Sequence, residues 1–134
     1  MKKLSLLFVF VILLSVSCSQ DYSYDLVGTW KVKVEMYSAD HGWIQNVHEE
    51  GFVITEQKDH VFKGYKEYLS KIDDKKHKEN FSGSVSVYGD ILIAEHIDGI
   101  LIGELKDRNH MVLQYAESGE SPKVQYLQLE RVEK

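Results

Sequence analysis

Cysteine and proline are both scarce in this sequence, and their scarcity limits how the chain can fold. The 134 residues include 1 Cys and 1 Pro. A chain with a single cysteine cannot form an internal disulfide, so its fold must depend on a hydrophobic core. There is no low-complexity segment and no repeat at a fixed long period. The length and composition therefore predict one globular domain without covalent cross-links.

Basic residues are outnumbered, and the common catalytic motifs are missing. The chain has 16 Lys and Arg against 21 Asp and Glu, a formal net charge of −5. An acidic protein is poorly suited to nucleic acid, because neutralising phosphates requires Lys and Arg. The sequence has no Gly-x-Ser-x-Gly elbow and no phosphate-binding glycine loop, and its six histidines lack tight metal-ligand spacing. We expect a protein that is not an enzyme and uses no metal, cofactor or nucleic acid.

The N-terminal segment has the pattern of an export signal. A basic start, Met1-Lys-Lys3, precedes the apolar run Leu4–Val16, and the small residue Ser17 stands before Cys18. The apolar run is shorter than the roughly 20 residues that a membrane-spanning helix needs. Two alternatives are an ordinary secreted protein with an incidental Cys18 and an uncleaved N-terminal anchor helix.

The segment Leu14-Ser-Val-Ser-Cys18 resembles the lipobox of bacterial lipoproteins. It departs from that pattern at Ser15, where the family usually has leucine. The resemblance implies a signal peptide at 1–17, acylation of Cys18 with palmitate-type chains, and a lipidated, polar tether at 18–25. The protein would then be held by lipid in the bacterial cell envelope. Ser19, which is not Asp, implies the outer membrane, on its periplasmic or surface face.

Residues 26–134 predict an all-β domain. In its first strand Trp30, Val32, Val34 and Met36 alternate with polar residues, the period-two pattern of a half-buried strand. The polar segment 38–42 and the charged segment 71–79 are interpreted as loops, the second with room for one helical turn. Eight strands are expected, beginning near Leu26, Asn46, His60, Asn80, Ile91, Ile100, His110 and Lys123. Short connections predict antiparallel neighbours and an eight-stranded up-and-down β-barrel, with a two-sheet sandwich as the alternative.

A tryptophan in the first strand and an arginine in the last are expected to meet. Arg131 is in register with two leucines and so points inward, where an unpaired charge is costly. In a closed barrel it can stack on the indole of Trp30. Gly28-x-Trp30 together with Arg131 resembles the signature of the calycin superfamily, which includes lipocalins, fatty-acid-binding proteins and avidins. The resemblance rests on these three residues and the strand pattern, and it implies a barrel that binds a small apolar or amphipathic ligand.

Five residues are candidates for a ligand pocket. Tyr65 and Tyr115 combine an apolar ring with one polar group, which suits a mostly apolar pocket. Glu95 and Glu104 each follow two isoleucines in register, so each is either a polar anchor or the point where a strand leaves the core. Trp43 is either a lid over the barrel or a contact for another protein. The alternative function is a protein-interaction module, such as a protease inhibitor or an accessory subunit of the envelope.

Overall fold

The computed structural model describes residues 24–45, 50–70, 74–96 and 99–132, which form nine β-strands. The proposed signal peptide and Cys18 lie outside these ranges. The strands are β1 Gly28–Ser38, β2 Gly42–Gln45, β3 Glu50–Lys58, β4 Val61–Ser70, β5 Lys75–Val85, β6 Asp90–Glu95, β7 Ile100–Leu105, β8 His110–Glu117 and β9 Lys123–Arg131. Among the described residues, no helix has the length and apolar character needed to span a membrane.

The sheet closes on itself into an antiparallel barrel. Strands β3 to β9 pair in sequence order, and β1 pairs with β9 from Trp30↔Arg131 to Ser38↔Lys123. The first half of β1 pairs with β3 and its second half with β2, so β2 and β3 together occupy one position in the wall. The wall therefore has eight positions, which confirms the predicted eight-stranded up-and-down barrel. The sandwich alternative is wrong, because the first and last strands are hydrogen-bonded neighbours.

The loop predicted at 38–42 is confirmed at 39–41, but a short strand follows it, and the charged segment predicted as a loop belongs largely to a strand. Strand β2 begins at Gly42, ahead of the predicted start near Asn46, and it pairs with the end of β1. The charged residues Lys75–Glu79 form the first half of β5 and pair with β4. In this half His77 and Glu79 are partly buried, whereas Lys76 and Lys78 are exposed. Burial alternates along this half of the strand, but the residues on both faces are polar, because the barrel interior is polar at this end. A pattern of alternating hydrophobicity is therefore absent, and the strand cannot be recognised from it.

One half of the interior is filled by aromatic side chains. Trp30 is fully buried, and the rings of Phe52 and Phe62 lie 5.4 Å and 6.4 Å from the ring of Phe81. Burying a large apolar side chain contributes roughly 1.5–3 kcal/mol, so this cluster is a major part of the stability. Gly64 makes room for it, since a Cβ there would lie 2.8 Å from Cζ of the Phe81 ring. The buried core runs from Leu26 to Leu129, so the described part of the chain contains a complete barrel with its own core.

Candidate functional site

Trp30 and Arg131 seal one end of the barrel, which we call the closed end. The Arg131 guanidinium carbon lies 4.7 Å from the centre of the Trp30 ring, and Arg131 Nη2 donates a hydrogen bond to the Asp25 carbonyl. The Trp30 indole N–H donates to the Leu26 carbonyl at 3.1 Å. Gly28, with φ of 147°, has a conformation that favours glycine where the chain turns into β1. These contacts cover the aromatic core, so the residues of the closed end have a structural role.

The opposite end of the interior, the polar end, holds charged side chains. Lys66 Nζ lies 2.6 Å from Glu95 Oε1 and 3.2 Å from Glu79 Oε2. The Glu95 side chain is only 3% exposed. Burial raises the pKa of Glu95 above its ordinary value, and the charge of Lys66 opposes that rise. The positive charge of Lys66 therefore compensates the negative charges of Glu79 and Glu95 inside the barrel.

A second ion pair completes this polar end. Tyr115 donates its hydroxyl proton to Glu117 Oε2 at 2.8 Å, and Lys123 Nζ lies 2.7 Å from the same oxygen. Burial, reinforced by the bond to Glu117, raises the pKa of Tyr115, so its hydroxyl stays protonated at neutral pH. The hydrogen bond from Lys123 lowers the pKa of Glu117. The inner polar cluster consists of Lys66, Glu79, Glu95, Tyr115, Glu117 and Lys123.

The inner polar cluster has the features of a structural network. Its largely buried charges, Lys66, Glu79 and Glu95, are paired with one another, as buried charges require, and the half-buried Lys123 and Glu117 form a second pair. In the described ranges, no group of three or more His, Cys, Asp or Glu side chains is arranged to hold a metal ion. The cluster therefore fixes the polar end of the interior.

A large groove lies on the outer face of the barrel near the polar end. Outward-facing side chains of β7, β8, β9, β1 and β2 form it in two rows that follow the strand register. The first row is Ile100, Ala116, Val124, Tyr37 and Trp43, and the second is Ile102, Gln114, Tyr126 and Glu35. Four residues whose side chains belong to the inner face, 36, 44, 115 and 125, also border the groove, which has a volume of about 840 Å³. We call it the outer groove.

The outer groove is both apolar and open to solvent. Trp43 is 86% exposed, and Ile100, Ile102 and Val124 are each more than half exposed. The ring of Trp43 packs edge-on against that of Tyr37, with centroids 5.0 Å apart and planes at 61°. Single exposed apolar side chains are ordinary on a protein surface, but a contiguous patch marks an interaction site. The volume also falls within the roughly 300–1,000 Å³ of small-molecule sites.

The five predicted pocket residues fall into three places. Glu95 and Tyr115 point inward in the inner polar cluster, and Tyr115 also borders the outer groove. Trp43 projects from the outer face and forms one wall of that groove. Tyr65 faces outward, with Lys78 Nζ 3.6 Å from its ring centre, and Glu104 is exposed and paired with Lys106. The structure thus places Tyr115 and Trp43 at the border of one groove, on opposite faces of the wall with two strands between them, and it places Tyr65 and Glu104 elsewhere.

Most of the outer groove comes from residues that the sequence reasoning did not select. These side chains stand at positions where an alternating strand should present polar groups to water. The segment Ile100-Leu-Ile102 is apolar on both faces, and Tyr37 and Tyr126 add aromatic rings to the outer face. Loss of alternation in β7, next to two outward tyrosines, is the signal that would have indicated this surface.

Comparison with known proteins shows the fold and leaves the family open. No protein-family model matches the chain, and no curated protein matches it. Two solved structures are similar. One is EF1p2_mFAP2b bound to DFHBI, with a TM-score of 0.60, 13% identity, and coverage of 85% of this chain and 100% of that chain. The other is a redesigned beta barrel, b11L5F_LGL, with a TM-score of 0.56, 15% identity, and coverage of 87% and 99% respectively. Both likenesses agree with the closed β-barrel described above.

Proposed function

We propose that this protein is a lipid-anchored binding protein of the bacterial cell envelope. It holds a small apolar or amphipathic molecule in the outer groove and catalyses no reaction. The observation that carries the proposal is the 840 Å³ groove, with its exposed aromatic and aliphatic walls. A contiguous apolar surface of this kind is costly to keep in water unless something covers it.

The outer groove is a better binding site than the interior. Aromatic rings pack one half of the interior, and Trp30 and Arg131 cover that end. At the other end, the Lys66–Glu95 pair would have to be broken or displaced by an apolar guest. Separating a buried ion pair leaves uncompensated charge, which costs several kcal/mol. Binding on the outer face requires no such rearrangement.

The proposed anchor, Cys18, precedes the described part of the chain. The described chain begins at the closed end, where the Leu26 amide donates to the Gln57 side-chain oxygen at 2.8 Å. The lipobox resemblance makes Cys18 the lipidated residue, a few residues before this point. The Trp30–Arg131 contact also supports kinship with the calycin superfamily. Labelling with a palmitate analogue should mark the wild-type protein, and Cys18→Ser should abolish the label.

A binding experiment can separate the outer groove from the interior. The chain from Ser19 onward, which keeps the whole barrel, would be purified from cells and examined by native mass spectrometry. We expect a bound mass that leaves on denaturation. Val124→Glu places a charge within the groove and should abolish that mass. The matched control is Gln128→Glu, an outward position farther along β9 that should leave the mass unchanged, whereas equal loss from both variants would contradict the groove assignment.

A protein partner is the second candidate function, and Trp43 favours it. An aromatic side chain that is 86% exposed is the residue type that dominates binding energy in protein interfaces. If the native mass spectrum shows no bound molecule, crosslinking in intact cells should recover a protein joined near Trp43. Crosslinks near the exposed side chain of Glu130 on β9 would not support this function.

A further inference from the structure

We propose that the outer groove selects a cationic amphiphile. Its alkylammonium group is held at Glu35, and its alkyl chain lies along Ile100, Ala116 and Val124 of the first row, which we call the apolar row. This inference rests on the proposed function, because it specifies the ligand class of the same groove. It adds a head-group specificity that the apolar walls alone do not provide.

Glu35 is the charged side chain among the described residues that line the outer groove. It is exposed, and no described side chain forms a hydrogen bond or an ion pair with it. A ligand that covers the groove removes water from this carboxylate. An uncharged ligand would leave the carboxylate uncompensated, and an anionic one would add repulsion. A cationic group compensates the charge, so charge complementarity selects a cation.

Aromatic side chains flank the carboxylate on one side of its own face of the sheet, and the exposed Lys33, which forms no ion pair with it, is on the other side. Tyr126 is directly across from Glu35, and Tyr37 is two residues further along the same strand. Trp43 is paired with Tyr37 and is therefore diagonal to Glu35. Such cross-strand and diagonal neighbours have Cβ atoms about 4.5–8 Å apart, which long side chains span. Three rings on one side of a carboxylate form a site suited to an alkylated ammonium ion, which binds the faces of aromatic rings.

The apolar row provides a place for the alkyl chain. Ile100, Ala116 and Val124 continue from Tyr37 across three strands, and none of them carries a polar side-chain atom. The ligand is a free amphiphile and not a bilayer surface, because the groove has a volume of about 840 Å³, within the range of small-molecule sites.

Three probes of equal chain length test the inference: octyltrimethylammonium, octanol and octyl sulfate, each below its micelle concentration. Their affinities for the chain from Ser19 would be measured by NMR titration. We expect the cation to bind roughly tenfold more tightly than the alcohol, and the sulfate to bind most weakly. Glu35→Gln should weaken binding of the cation and narrow its advantage over the alcohol, whose affinity should not change. Glu130→Gln, which removes an outward carboxylate outside the groove, should change neither the affinity for the cation nor that for the alcohol.

The outcomes separate this inference from the proposed function. Equal binding of the cation and the alcohol by the wild type would overturn the cation selectivity while the groove remains a binding site. Failure of all three probes to bind would overturn both. The same chain should not sediment with phosphatidylcholine vesicles. Sedimentation that depends on Glu35 would assign the site to a lipid surface and overturn the commitment to a free ligand.

Discussion

The contact between Arg131 and Trp30 should contribute a measurable but moderate part of the stability, and the structure allows its size to be worked out. A guanidinium stacked on an indole contributes about 0.5–2 kcal/mol. The hydrogen bond from Nη2 to the Asp25 carbonyl adds about 0.5–1.5 kcal/mol, discounted because that site is exposed. Against these gains, Arg131 Nε is buried and has no hydrogen-bond partner among the described residues, which costs about 1–3 kcal/mol.

The stacking and hydrogen-bond gains and the cost of the unsatisfied Nε nearly cancel, so the effect of Arg131→Ala comes mainly from the arginine stem that packs on Trp30. Losing this partly buried stem should lower the free energy of unfolding by about 1–2 kcal/mol, at about 0.8 kcal/mol for each fully buried CH₂. Arg131→Met should cost less than about 1 kcal/mol, since it keeps the stem and removes the unsatisfied Nε. Arg131→Lys keeps the stem but places on Trp30 an ammonium group that lacks the planar stacking face, so its stability should fall between those of the methionine and alanine variants. Urea denaturation of the three variants measures these differences. A lysine variant as stable as the wild type would refute the stacking argument.

Three further predictions concern the core, the inner polar cluster and the groove. Gly103→Ala should lower the free energy of unfolding in urea by about 1–3 kcal/mol or more, because the new Cβ would lie 1.9 Å from the Val112 carbonyl oxygen. The control Gly51→Ala has open space at its Cβ and should cost less than about 1 kcal/mol. The carboxyl pKa of Glu95, followed by ¹³C NMR, should lie above 4.5, and Lys66→Met should raise it further. Because the native state then holds this proton more tightly than the unfolded chain, Glu95 makes stability fall as pH rises from 4.5 through the native pKa, and Glu95→Gln should remove that fall. Trp43→Ala should change stability by less than about 0.5 kcal/mol, because the side chain is exposed; a larger loss would mean that Trp43 is part of the core.

The architecture was predictable because alternation specifies which face of a strand is buried. Trp30, Val34 and Leu127 reveal the inner face by period two, and short connections leave few topologies for antiparallel strands. The same rule determines the position of Tyr65. It lies three residues from the buried Phe62, so the two side chains occupy opposite faces.

The candidate sites were less accessible from sequence, because they depend on which strands become neighbours. Glu95 is stabilised inside the barrel by Lys66, which lies on a strand distant in sequence. No local sequence pattern predicts that these two residues form an ion pair. Likewise, Tyr37 and Val124 become neighbours only because β1 and β9 close the barrel. Closure is predictable from the strand pattern, but the strand register, which decides which outward residues become neighbours, is not.

The central claim is that the binding surface is the outer groove and not the barrel interior, and methyl NMR during titration with octyltrimethylammonium tests it most directly. Ile102 and Leu101 are adjacent in β7 but face opposite sides of its wall, so each serves as a control for the other. Binding in the outer groove predicts that the methyl signals of Ile100, Ile102 and Val124 shift, while those of Leu101 and Leu113 stay in place. Shifts concentrated on Leu101 and Leu113 would place the ligand inside the barrel and contradict the account.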